Sequence, residues 1–111
     1  MPRDYRLYLD DILQCIEKIT DYVAGMDADK FSTDSKTVDA VIRNLEIIGE
    51  AARSLPDDVK DSATMIEWRK ITSLRNILVH EYFGVNAQLV WDIAQTKLPP
   101  LRDACIKMLG V

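Results

Sequence analysis

The 111-residue sequence is short of several things, and each shortage closes off a class of protein. No apolar run approaches the roughly 20 residues that cross a bilayer, and no leader-like apolar stretch follows the N-terminus. A membrane protein and a secreted one are therefore not expected. Cysteine is scarce: Cys15 and Cys105 stand far apart on expected helices, without a C-x-x-C pattern. Buried, reduced thiols in a cytoplasmic protein are the expectation, although spacing alone does not decide on a bridge. There is one histidine, His80. Glu46 and Glu50 are four apart on one helical face, but no second histidine or carboxylate cluster completes a ligand set, so no metal and no cofactor are expected. Positive charge is also short, with 14 Lys and Arg against 18 Asp and Glu and a net charge of −4. A protein that held nucleic acid by its overall field would be basic. Any RNA binding here must come from a local patch, for which Arg69 and Lys70 are candidates.

What is present is helical periodicity. Strand alternation, internal repeats and low-complexity segments are missing, and 48% hydrophobic with 29% charged residues is ordinary for one globular domain. Over residues 4–24, Tyr5, Leu9, Ile12, Leu13, Ile16, Ile19 and Val23 recur at helical spacing, with Asp10, Asp11, Glu17, Lys18 and Asp21 on the solvated side. Gly25 closes this helix, and 25–33 reads as a polar loop anchored by Phe31. Ser32 or Asp34 caps a second helix to about Leu55, built on Val38, Val41, Ile42, Leu45, Ile48, Ala52 and Leu55. Gly49 inside it costs about 1 kcal/mol relative to alanine, which a close helix approach would explain. Pro56-Asp57-Asp58 signals a turn, with one short helical turn at 57–60.

Thr64 and Glu67 have the T-x-x-E spacing of a capping box, which places a third helix from about Met65 to Phe83, with Gly84 as its stop. Asn86 caps a fourth, whose Leu89, Val90, Ile93 and Leu98 face inward. Pro99-Pro100 kinks or splits it, since Leu98 before proline is pushed from helical angles; a proline then restarts a helix carrying Leu101, Cys105, Ile106 and Leu109. Four long helices on short connections make an all-α, antiparallel, up-and-down four-helix bundle, one domain over residues 1–111.

The third helix holds the residues that could carry chemistry. At about 100° per residue, Ile71, Leu74, Ile77 and Leu78 form its core face. Arg75, Asn76, Val79, His80, Tyr82 and Phe83 fall on the remaining arc. A permanent cation, an amide, an imidazole and a phenol thus share one side of a helix. Alone, His80 fits a surface or helix-terminal histidine, Arg75 a solvated or salt-bridged arginine, and Tyr82 an amphipathic residue with its hydroxyl in solvent. Trp68 and Trp91 fit core or interface aromatics better than base-stacking platforms.

Arg75-Asn76-x-x-x-His80-x-Tyr82 resembles the R-x4-H-x-Y motif of the HepT-like toxins, a branch of the HEPN superfamily. Trp68-Arg69-x-Ile71 before it, Tyr82-Phe83-Gly84-Val85 at its end, Arg43-Asn44-Leu45-Glu46-Ile47-Ile48-Gly49-Glu50-Ala51-Ala52 upstream and Val90-Trp91-Asp92-Ile93 downstream extend the likeness over roughly residues 5 to 105. The resemblance implies a helical bundle and a homodimer with both motifs facing one cleft. The implied activity is that of a metal-independent endoribonuclease toxin of a type II toxin–antitoxin pair. In that reading Arg75 and His80 are catalytic, and Asn76 orients His80 or donates to phosphate. Tyr82 is the implied site at which an MNT-type nucleotidyltransferase antitoxin adds AMP. The alternative is a non-enzymatic helical module that docks and assists a nucleotidyltransferase.

Overall fold

Two long amphipathic helices set the frame of the computed structural model, which describes residues 3–74, 76 and 86–110. The first, α1 (Tyr5–Tyr22), starts where the Asp4 carboxylate accepts from the Arg6 amide, and Gly25 turns the chain away from its end at φ +77°. That left-handed angle is cheap only for glycine. Leu9, Ile12, Ile16 and Ile19 are buried along one side, as their spacing requires. The second long helix, α3 (Ser35–Arg53), is capped by Asp34, whose carboxylate accepts from the Thr37 amide at 3.2 Å. Hydrogen bonding from the Thr37 side chain, with that amide bond, holds the Asp34 carboxyl below its ordinary range. Val38, Val41, Leu45, Ile48 and Ala52 are buried, and Gly49 lies buried among them.

The stretch expected as a polar loop contains a helix, α2 (Ala28–Thr33), with Asp27 capping through the Lys30 amide. Six residues with one large apolar side chain carry no periodic signal, and the cap with Phe31 makes the turn. Phe31 does anchor it: it is fully buried, its ring 5.4 Å from that of Trp91. The short turn after Pro56 is α4 (Asp57–Asp61).

The third helix starts later than the T-x-x-E spacing suggests: α5 runs Trp68–Thr72, and no side chain bonds its first amides. The capping box fails because residues 63–67 turn instead. The Ile66 amide donates to the Ala63 carbonyl, and the Trp68 indole N–H donates to the carbonyls of Lys60 and Ala63 at 2.9 and 3.1 Å. Glu67, needed by the box, pairs with lysines. Beyond α5, Leu74 is helical and buried and Asn76 helical and exposed. The expected run of this helix to Phe83, its Gly84 stop, and the residues Arg75, His80 and Tyr82 lie outside the described residues.

The Asn86 side chain accepts from the Leu89 amide and caps α6 (Ala87–Thr96), as its position predicts. The last helix does divide, at Lys97, one residue before Leu98. Leu98 is the first residue of α7 (Leu98–Met108), not displaced from it, and the prolines occupy the first turn. Amides in that turn have no partner within the helix, so Pro99 and Pro100 lose nothing there. α1 packs on α3 and α7; α3 also meets α2, α5 and α6; and α6 packs on α2 and α7. The described residues are helices, turns and connections of an all-α bundle. None of these helices is long and apolar enough to cross a membrane.

Candidate functional site

The candidate site is approached through α5, and three contacts fix how that helix lies. Ile71 and Leu74 are buried at 5% and 4% exposure, so this edge faces the core. The Trp68 indole ties the helix start to the turn behind α4. Both tryptophans are half-buried against the core, Trp91 beside Phe31, so their rings serve packing. Asn76, two residues past Leu74, is exposed, which agrees with its place on the arc away from the core. Of the proposed site residues it is the one the structure describes. How Arg75, His80 and Tyr82 sit relative to it lies outside the described residues.

The structure adds a group that the sequence reading missed. Lys97, at the corner between α6 and α7, comes to the start of α5, its Nζ 4.0 Å from a Glu67 carboxylate oxygen. Lys70 approaches the other oxygen at 2.9 Å. The Lys70 hydrogen bond and charge, helped by Lys97, hold the Glu67 carboxyl below its ordinary range. Two ammonium groups thus bracket one carboxylate, and Arg69 is exposed on the same helix. No helical spacing links Lys97 to Lys70; only the fold brings them together.

These charges stand on the rim of a cleft of about 290 Å³ between α5 and α6. Ile66, Ile71, Leu74, Leu89, Ile93 and Pro100 form its apolar walls. Met65, 73% exposed, stands at one edge. Thr96 also reaches the cleft, but its hydroxyl donates to the Asp92 carbonyl at 2.7 Å.

Elsewhere the chemistry is quieter. Arg43, Glu46, Ile47 and Glu50 line a shallow depression on α3. Among the described residues, no three metal-ligating side chains converge. Thr72 donates to the Arg69 carbonyl, an ordinary helix-backbone bond. Asn44 is buried, its amide donating to the Ala40 carbonyl. The thiols of Cys15 and Cys105 are free and buried, and burial pushes Cys105 up to about 12.

The profile of the HepT-like ribonucleases matches residues 12–108, nearly the full length of the chain. The chain belongs to the HepT-like ribonuclease family. It is 43% identical over 100 residues to a Methanocaldococcus jannaschii protein named as an RNase, covering 89% of this chain and 83% of the relative. A Thermococcus cleftensis protein named as a ribonuclease HepT is 39% identical over 108 residues, covering 97% of this chain and 98% of that one. A second M. jannaschii protein, named as a gamma-glutamylcyclotransferase and RNase, is 37% identical over 109 residues. The match spans 98% of this chain and 49% of that larger relative. No solved structure matches the chain. The HepT-like span includes Arg75, Asn76, His80 and Tyr82, as well as the α5–α6 cleft.

Proposed function

We propose that this HepT-like chain is a cytoplasmic, metal-independent endoribonuclease toxin. In this reading it acts as a homodimer and is restrained by an MNT-type nucleotidyltransferase. The observation that carries the reading is the family membership, joined to the motif Arg75-Asn76-x-x-x-His80-x-Tyr82 inside the matched span. The exposed Asn76 beside the buried Leu74 supports an outward-facing motif.

The chemistry asked of these side chains is transesterification. An RNA 2′-oxygen attacks the adjacent phosphorus, the bond to the 5′-oxygen breaks, and a 2′,3′-cyclic phosphate and a 5′-hydroxyl result. One proton must leave the 2′-OH and one must reach the departing oxygen. Histidine titrates near neutrality and serves either role. One imidazole does not easily serve both in a single step, whereas the two His80 of a dimer do. Arg75 presents a planar, permanently charged fork to the phosphate oxygens as negative charge builds. Asn76 orients His80 or adds a donor. Tyr82, two residues from His80, is the acceptor for AMP. A bulky phosphodiester there would compete with RNA for Arg75 and close the site.

The test is cleavage of cellular RNA by the purified chain in EDTA, with end-group analysis. Wild type should leave 2′,3′-cyclic phosphate ends, and His80→Ala should leave RNA intact while keeping its helical signal and its mass in solution. Loss of helical signal in that variant would make His80 structural.

The net charge of −4 favours a second reading, in which the same helix docks a nucleotidyltransferase and holds phosphate without cutting. Growth arrest on expression alone, abolished by Arg75→Ala, separates the two. A harmless wild type carrying an unmodified Tyr82 would put the docking module first.

A further inference from the structure

We infer that RNA bound for the candidate site crosses the α5–α6 cleft, with Lys70 and Lys97 on a backbone phosphate and one base lodged between Leu89 and Ile71. The inference rests on the ribonuclease reading and extends it to how the strand is held.

Three observations point this way. The first is charge. In a chain with net charge −4, affinity for a polyanion must be local, and among the described residues Lys70 and Lys97 face a single carboxylate, Glu67. Their side chains remain 66% and 51% exposed, so they can turn from Glu67 to an arriving phosphate without leaving a buried site. The second is shape. The cleft of about 290 Å³ falls just below the roughly 300–1,000 Å³ usual for a whole small-molecule site. It suits one inserted group better than an extended cofactor. The third is continuity. Leu74 is part of the cleft wall, and the next residue in the chain is Arg75. In sequence, this wall thus ends one residue before the arginine assigned to the scissile phosphate.

The walls also say what the cleft does not read. Among the described residues, Leu89, Ile71 and Ile93 offer no hydrogen bonds, and the Thr96 hydroxyl has its proton on the Asp92 carbonyl. A base here gains apolar contact of any identity, so this position carries little sequence preference, as with stacking platforms for single strands.

The experiment uses the full chain and a fluorescent oligouridylate methylated on its 2′-oxygens, which lacks the attacking hydroxyl and survives binding. Each phosphate contact on single-stranded nucleic acid contributes about 0.7 to the slope of log affinity against log salt. Lys70→Gln and Lys97→Gln should each flatten the slope by about that amount. Glu67→Gln, which removes the competing carboxylate, should tighten binding. Leu89→Trp, which fills the cleft, should weaken binding while leaving the slope unchanged. If wild type binds and the lysine variants keep its slope, the cleft assignment fails and the ribonuclease reading stands. Should wild type not bind at low salt, the ribonuclease reading loses its substrate and this inference falls with it. A Leu89→Trp protein that binds RNA normally but changes its sedimentation would make the cleft a contact between copies, overturning the assignment.

Discussion

The indole of Trp68 donates to the carbonyl of Lys60 at 2.9 Å, joining the first residue of α5 to the end of α4. A second, longer bond to Ala63 shares the same hydrogen. Together they fold the chain before α5 into a turn and set where α5 begins. Trp68→Phe keeps the ring stacked on the core and removes the donor. It should cost about 1 kcal/mol of stability, read as a lower urea midpoint with an unchanged slope.

Phe31 and Trp91 pack ring against ring and connect α2 to α6. Phe31 is fully buried and is the main apolar contribution of its short helix. Truncating such a side chain typically costs about 3–5 kcal/mol. Phe31→Ala should lower the urea midpoint far more than Trp68→Phe does, and Phe31→Leu should recover part of the loss.

Cys105 predicts an alkaline signature. Its folded pKa is pushed up to about 12 from the ordinary 9.0 by burial. In the unfolded chain the thiol ionises from about pH 9, while in the folded chain it stays protonated. The neutral thiol's contribution is therefore whole below pH 9 and declines as pH rises toward 12. In that window wild type should lose stability faster than Cys105→Ala, by up to about 1.4 kcal/mol per pH unit, in paired urea titrations. Slow alkylation of the native thiol should accompany it.

Tyr82 separates toxicity from restraint. If AMP transfer to its phenol is what neutralises the chain, Tyr82→Phe should arrest growth as wild type does and escape a co-expressed MNT-type nucleotidyltransferase. Mass spectrometry of the wild-type chain should show one added AMP on the peptide containing residue 82. Rescue of the Tyr82→Phe strain would mean that the antitoxin acts by binding or modifies another residue.

Periodicity carried the long helices well. The spacing from Leu9 to Ile19 and from Val38 to Ala52 matches the buried sides of α1 and α3, the Asn86 cap fell where side-chain chemistry placed it, and of Ser32 and Asp34 it is Asp34 that caps α3. The errors came where one local rule met a competitor. Glu67 had the position for a capping box, but Lys70 and Lys97 engage its carboxylate and Trp68 fixes the turn. Residues 28–33 had too few apolar positions to show a period, yet one cap and one buried phenylalanine suffice for a helix. Of the site, Arg75, His80 and Tyr82 lie outside the described residues, and the exposure of Asn76 was legible from its place on the helical arc. Lys97 was not, because its role depends on a corner whose direction no local pattern states.

That corner has a consequence for what lengths the chain tolerates. Leu98 to Met108 is phased by its junction with Thr96 through the single residue Lys97, and the prolines pin the phase from the other side. One residue inserted between Thr96 and Leu98 would advance α7 by about 100°. That rotation would swing Leu101 and Cys105, both fully buried, off the core. Insertions and deletions should be absent at this corner, so the bend acts as a reading frame for α7.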